Sequence, residues 1–295
     1  MKKLIIIWAL LTSTVYAQSK AGFFVVGGKV ITVQDTSSRN YLKAIENAGV
    51  VPSVLQNAAS NFLVTSEKAI GSYSLITAQY PIMGGTAATH IFNLNKPTGL
   101  ASDYTLQFFG TVTHNASGIK GDGSTGYADT KLKLSSNISS TGLVSFGFHT
   151  SSATTFGQRY DIGAGTDAGT SSYSFISTGN STQYFASPFT TANSQLIVTT
   201  PLKKGFYQTT QNGTIKGYIN GVLQTGTINY APNYITDVNY SIMALNSNAV
   251  VGVGTSISQN TDKTYGYFFF ASPFTDIQSE RQSRIVTFFN SMQNR

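Results

Sequence analysis

Cysteine is absent from the sequence. That excludes disulfide staples and thiolate metal sites, so stability has to come from one sizeable core, which 295 residues are long enough to build. Charge is also scarce, with Lys, Arg, Asp and Glu making up 11% of the chain. The basic residues are scattered and never form a run of four, so the formal charge of +7 reads as a solvated, mildly basic surface and not as a nucleic-acid footprint. Beyond the first eleven residues no apolar stretch approaches the roughly 20 residues of a membrane-spanning helix. Acidic residues number twelve, and the only two closer than six positions are Asp276 and Glu280. Glycoside hydrolysis needs two carboxylates about 5 to 10 Å apart on one cleft, and no strand-like segment carries acids in alternation. A Gly-x-Ser-x-Gly nucleophile elbow is missing. The three histidines, His90, His114 and His149, lack the spacing of a metal site and read as strand or loop residues.

What the chain does have begins at its N-terminus. Met1-Lys2-Lys3, the apolar run Leu4 to Leu11, and Val15-Tyr16-Ala17 before Gln18 form the three-part layout of a secretory signal peptide over residues 1–17. The alternative is an uncleaved N-terminal membrane anchor. Cleavage removes Trp8, the single tryptophan, and takes Lys2 and Lys3 from the formal +7, leaving +5. Export without cysteine points to a bacterial or viral source, and a polar surface built from Ser, Thr, Asn and Gly suits β-rich extracellular and virion proteins.

Three regions follow. Residues 18–78 open with Phe23-Phe24-Val25-Val26 and Lys29 to Val33 around Gly27-Gly28, the pattern of a small independent hairpin. One or two helices are expected between about 38 and 70, where Tyr41, Leu42 and Ile45 share a face and Pro52 interrupts. Residues 79–275 turn to short runs of Val, Ile, Phe, Tyr and Thr punctuated by Gly, Asn, Ser and Pro, the texture of an antiparallel sandwich. Strands are expected at 106–113, 142–150, 173–177, 195–199, 205–210, 214–219 and 265–271. Asn220-Gly221 supplies the two positive φ angles of a type I′ turn, the strongest hairpin signal in the chain. Residues 276–295 form a closing helix, capped by Thr275 with Gln278 and presenting Ile277, Ile285, Phe288, Phe289 and Met292 to the sandwich. The fold class is thus mainly β: a two-sheet antiparallel jelly-roll sandwich with an N-terminal helical segment and a C-terminal helix. Phe185 to Thr190 recurs as Phe270 to Thr275 and reads as a reused strand-to-turn device.

The segment Gly121-Asp122-Gly123-Ser124-Thr125-Gly126 lacks the lysine ending of a P-loop and the repeated acids of an EF-hand. It reads as a tight connection between strands, although Asp122 and Asp129 offer two oxygens to a calcium ion. No catalytic residue and no other cofactor site is indicated. The aromatic complement, 16 Tyr and 19 Phe, exceeds what a core of this size needs. Some rings should face outward, where they can stack on sugars while Asn, Ser and Thr bond hydroxyls.

Tyr80-Pro81-Ile82-Met83-Gly84-Gly85-Thr86 through Leu94, and Phe109-Gly110-Thr111-Val112-Thr113-His114-Asn115 through Thr130, resemble concanavalin A-like (laminin-G-like) jelly-roll proteins of bacteriophage tails and virions. The Tyr218 to Val222 hairpin and the closing helix are similar to that group too. The resemblance covers roughly residues 40–295 and implies a virion decoration, spike or adhesion module. Its motifs carry no catalytic residue to this chain. The leader departs from the pattern, because capsid and tail proteins assemble in the cytoplasm. The combined expectation is a non-catalytic, homo-oligomeric protein, exported or on a virion surface, whose partners are other virion or surface proteins and host glycan but not nucleic acid. The alternatives are a structural virion component without a ligand and a secreted polysaccharide hydrolase.

Overall fold

The computed structural model describes residues 23–26, 29–32, 34–138, 143–153, 157, 159–166, 172–178, 183–186, 196–198, 204–212, 214–228, 238–248, 256–258 and 260–295. The leader, the Gly27-Gly28 turn and most of the first copy of the Phe-Ala-Ser-Pro repeat lie outside them. Among the described residues no helix is long and apolar enough to cross a membrane.

In chain order, β1 (Phe23–Val26) pairs with β2 (Lys29–Thr32). Two helices follow, α1 (Thr36–Asn47) and α2 (Val54–Ala69). Asp35 caps α1 by accepting from the Ser37 N–H, and its carboxylate also meets Lys68 at 2.8 Å, tying the start of α1 to the end of α2. Pro52 separates the helices, and Ser53 with Gln56 forms a reciprocal capping box on α2. Next come β3 (Ile76–Tyr80), the short α3 (Ala87–His90), β4 (Gln107–Phe109), β5 (Val112–Asn115), β6 (Gly118–Gly121), β7 (Tyr127–Lys133), α4 (Leu134–Asn137) and β8 (Val144–Thr150). The chain continues through β9 (Arg159–Thr166), β10 (Ser172–Thr178), β11 (Gln183–Ala186), β12 (Leu196–Val198), β13 (Gly205–Asn212), β14 (Thr214–Ile219), β15 (Val222–Leu223) and β16 (Thr227–Ile228). It ends with β17 (Asn239–Ile242), β18 (Leu245–Asn248), β19 (Ser256–Ser258), β20 (Thr264–Ala271) and α5 (Asp276–Met292).

The strands form two facing sheets. The first runs β15-β14-β13-β8-β20-β6-β5, with β3 sharing the β20 edge, and the second runs β16-β12-β11-β10-β9-β17-β7-β4, with β18 and β19 attached beside β9. Pairing is antiparallel except between β18 and β9, which run parallel, so the second sheet is mixed. β3 spans the boundary at residue 78 and belongs to the first sheet. The strand expected over 106–113 divides into β4 and β5, which belong to different sheets. Gly110 makes the division possible: its φ is +62°, and a Cβ there would lie 2.1 Å from the Thr125 carbonyl oxygen. Asn220 (φ 50°) and Gly221 (φ 78°) form the expected positive-φ turn between β14 and β15.

β20 shows why the architecture has three layers. Tyr265 and the five residues Tyr267 to Ala271 are all completely buried, a continuous apolar run that only a strand covered on both faces needs. Tyr265, Phe268 and Phe270 enter the core between the sheets with Phe146, Phe148, Ile162, Ile176, Tyr240 and Ile242. Tyr267, Phe269 and Ala271 face α1, α2 and α5, joining Tyr41, Leu63, Phe206, Val286 and Phe289. Each such side chain contributes about 1.5–3 kcal/mol by leaving water.

The cap of α5 forms as expected, with Thr275 accepting from the Gln278 N–H and the Gln278 side chain returning to Thr275 N. Its buried face differs from the expected one. Ile277 is 61% and Phe288 49% exposed, while Ser279, Gln282, Ser283, Ile285, Val286, Phe289 and Asn290 are buried. The helix turns its polar residues inward because the sheet beneath it presents Gln208 and Tyr267, which hydrogen-bond Ser279 and Gln282.

Candidate functional site

The free edge of β3 lines the site. Among the described residues this strand pairs with β20 alone, and an uncovered edge invites pairing with another chain. Asn93 and Asn95 close it instead: Asn93 Oδ1 accepts from the Gln79 N–H at 3.0 Å, Leu94 N donates to the Gln79 carbonyl at 2.8 Å, and Asn95 Nδ2 donates to the Ile76 carbonyl at 2.7 Å.

Beside this edge runs an open groove of about 710 Å³ lined by Tyr73, Thr77, Asn95, Lys96, Tyr104 and Asn137 together with Ser74, Leu75, Ile76, Ile138 and Ser272. The two tyrosines come from opposite sides of the first sheet. Tyr73 packs partly on the helix-side cluster and Tyr104 partly on the core between the sheets. Lys68 Nζ sits 4.9 Å from the centre of the Tyr73 ring, a cation–π contact. Burial, then the charges of Glu67 and Asp35, hold the Tyr73 phenol above its ordinary pKa, so the group stays a neutral donor. Tyr104 has a left-handed backbone, φ 61°, after the turn 101–103, and its carbonyl accepts from the Tyr80 hydroxyl at 2.6 Å. A bulky residue held in that region carries strain that the surroundings must enforce. Asp103 helps, accepting from Thr98 Oγ1 at 2.5 Å and lying 3.8 Å from Lys96 Nζ.

The groove offers phenol rings, amide groups, hydroxyls and one ammonium. None of the described residues that line it is Asp or Glu. Such groups can bind a polar, ring-shaped ligand. The sequence pointed to outward aromatics in general but not to Tyr73 or Tyr104. The pattern Asn93-x-Asn95 next to a short edge strand was the usable signal.

The structure gives Asp122 and Asp129 separate local duties. Asp122 Oδ1 accepts from the N–H groups of Ser124, Thr125 and Gly126, and Oδ2 accepts from Thr125 Oγ1. These bonds hold its carboxyl well below the usual range despite its exposure. Asp129 accepts from Lys131 N and Nζ and from Asn239 Nδ2. Among the described residues no three His, Asp or Glu side chains gather as a metal site.

His90 and His114 meet Nδ1 to Nδ1 at 3.1 Å. His90 Nε2 accepts from the Gly85 N–H at 3.1 Å, so the His90 proton resides on Nδ1 and is donated to His114. Burial, then the neighbouring His114 and Arg295, pushes His90 down to about 3, and burial followed by Arg295 pushes His149 down to about 4. Arg295 anchors the chain end by donating to the carbonyls of Ile82, Ala116 and Gly266.

No family model and no curated protein sequence matches this chain. Among solved structures, a mutant of Trypanosoma rangeli sialidase displaying trans-sialidase activity aligns over 86% of this chain and 39% of its own, at 10% identity and a TM-score of 0.52. The binding domain of botulinum neurotoxin DC, in complex with rat synaptotagmin II, aligns over 74% of this chain and 52% of its own, at 15% identity and a TM-score of 0.46. The chain therefore spans about two-fifths of the sialidase and about half of the toxin domain. What it shares with the sialidase structure is a fold, and that fold is a β-sandwich.

Proposed function

We propose that this protein is an exported, non-catalytic adhesion module that binds glycan in the β3-edge groove, on a virion or a bacterial cell surface. The observation that carries the reading is the pairing of Tyr73 and Tyr104 with Asn95, Asn137 and Lys96 in one open groove. Aromatic faces take the apolar side of a sugar ring, while amides and the ammonium bond its hydroxyls. The leader supports export, and the fold shared with a sialidase structure is compatible with a sugar ligand. The test is glycan-array binding by the mature protein, followed by titration of Tyr73→Ala and Lys96→Ala. Expected is at least a tenfold loss of affinity in each variant with an unchanged fold. Absence of glycan binding by the parent, or full binding by both variants, refutes the site. Release of reducing ends from a bound polysaccharide would assign a hydrolase instead.

A second reading, a structural virion component without a ligand, draws on exposed apolar side chains of the helical layer. Val51, Val54 and Leu55 are exposed just before and at the start of α2, and the Phe288 ring on α5 packs at a tilt against Phe62, centroids 4.7 Å apart, while remaining half exposed. Stoichiometric presence in purified particles without glycan binding favours this reading.

A further inference from the structure

Between the two sheets, away from the groove, Lys263 and Asp161 meet in a site closed to water. Lys263 Nζ lies 2.7 Å from Asp161 Oδ1, and their side chains are 4% and 0% exposed. Two hydroxyls grip the same carboxyl: Tyr265 donates to Oδ1 at 2.5 Å, and Thr178 Oγ1 to Oδ2 at 2.6 Å. Nζ also contacts Thr178 Oγ1 and lies 3.5 Å from the Thr178 carbonyl. The Phe148 ring centre is 6.0 Å from Nζ, so one wall of the site is aromatic. Tyr265 is itself fully buried, and Thr261 Oγ1 backs its hydroxyl at 3.2 Å.

We infer that Lys263 and Asp161 close an intramolecular amide, a covalent staple between the two sheets. Charged groups sealed from water carry a large desolvation cost that one contact seldom repays. Proton transfer from the ammonium to the carboxylate removes both charges and leaves a free amine against a carboxylic acid. The amine nitrogen then attacks Cγ. The new C–N bond forms, the C–OH bond breaks, and the two protons lost by nitrogen leave with the carboxyl oxygen as one water. The Tyr265 hydroxyl on Oδ1 and the Thr178 hydroxyl on Oδ2 leave each carboxyl oxygen with one donor. Whichever oxygen becomes negative in the tetrahedral intermediate is therefore held by a hydroxyl, the role that preorganised donors play in acyl transfer, while the other departs as water. Water exclusion and fixed approach geometry favour the step. In the product the amide oxygen retains a hydroxyl donor, and its N–H faces the Thr178 carbonyl. The link joins β9 in one sheet to the segment entering β20 in the other, across 102 residues of chain. In an exported chain without cysteine it supplies the covalent closure that disulfides give elsewhere.

Peptide mapping of the full-length protein tests this. After denaturation and trypsin digestion, the segments carrying Asp161 and Lys263 are expected as one branched peptide, lighter by one water than its two parts and uncleaved after Lys263. The linked peptide should vanish in Lys263→Arg, which keeps the charge and cannot form this amide. The parent should also migrate faster than Lys263→Arg on a denaturing gel, because its closed loop is more compact. Recovery of Asp161 and Lys263 only in separate peptides of unaltered mass overturns the inference, whatever the variant does.

Discussion

Glu67 and Asp161 are the two carboxylic residues sealed from solvent among the described residues, and the protein accommodates them in opposite ways. Asp161, between the sheets, faces a lysine. Glu67, between α2 and the first sheet, meets only neutral donors: Gln282 Nε2 at 2.7 Å, Gln79 Nε2 at 3.1 Å and the Tyr267 hydroxyl at 3.2 Å. Hydrogen bonds without a counter-charge do not offset its desolvation, so burial raises Glu67 to about 7. A polar network locks the helices onto the sheet, and its cost should depend on pH.

The largest expected effect removes one side of this comparison. Truncation after Phe274 deletes Gln282 and the buried Ile285, Val286 and Phe289, and it uncovers Phe206, Tyr267 and Phe269. The lost burial alone is worth about 5 kcal/mol or more, comparable with the whole stability of a typical domain. Aggregation or failure to fold is expected. A soluble product with the parent's melting temperature would show that the helical layer is dispensable.

The other side is probed by Lys263→Met, which leaves Asp161 buried with hydroxyl donors alone. A loss of about 3–5 kcal/mol is expected in denaturant unfolding. Equal stability to the parent would mean that Asp161 needs neither the charge nor a bond to Lys263.

Sequence made the outline of the fold legible but not this contrast. The Thr275 cap, the Asn220-Gly221 turn and the β20 run act over a few neighbouring positions, and each formed. Strands such as β3, β7 and β9 were missed because their polar and small residues are buried by partners far away in sequence. Gln79 of β3 accepts from the Tyr267 hydroxyl, Thr130 of β7 donates to the Tyr240 carbonyl, and Asp161 of β9 accepts from Lys263. The same applies to α5, whose inward face carries Gln282 because Glu67 lies 215 positions away. The groove was illegible for a related reason. Tyr73 and Tyr104 are 31 positions apart by their numbering, and neither alternates with an apolar pattern.

The pH dependence separates the two sites with less damage. A folded value of about 7 against an ordinary 4.5 means that the native state holds the Glu67 proton more tightly than the unfolded chain. Its stabilising contribution is therefore complete below about pH 4.5 and is lost as pH rises through 7, a fall on the order of 3 kcal/mol. Glu67→Gln should flatten this slope when denaturant midpoints are compared between pH 5 and 8. An unchanged slope would mean that Glu67 does not carry it.

Asp122 gives the smallest effect and the opposite sign. Its carboxylate is exposed, yet three backbone N–H groups and one hydroxyl converge on it. Because folding lowers its pKa, its contribution is present above the ordinary value of 3.8 and is lost as pH falls through the depressed one. Asp122→Ala should cost about 1 kcal/mol by releasing these donors to water, and Asp122→Asn should recover part of it, since one oxygen still accepts from the turn. If millimolar calcium raised the melting temperature of the parent but not of Asp122→Ala, the carboxylate would be a ligand as well as a turn brace. The hydrogen bonds already made by both of its oxygens, and by those of Asp129, lead us to expect no such shift.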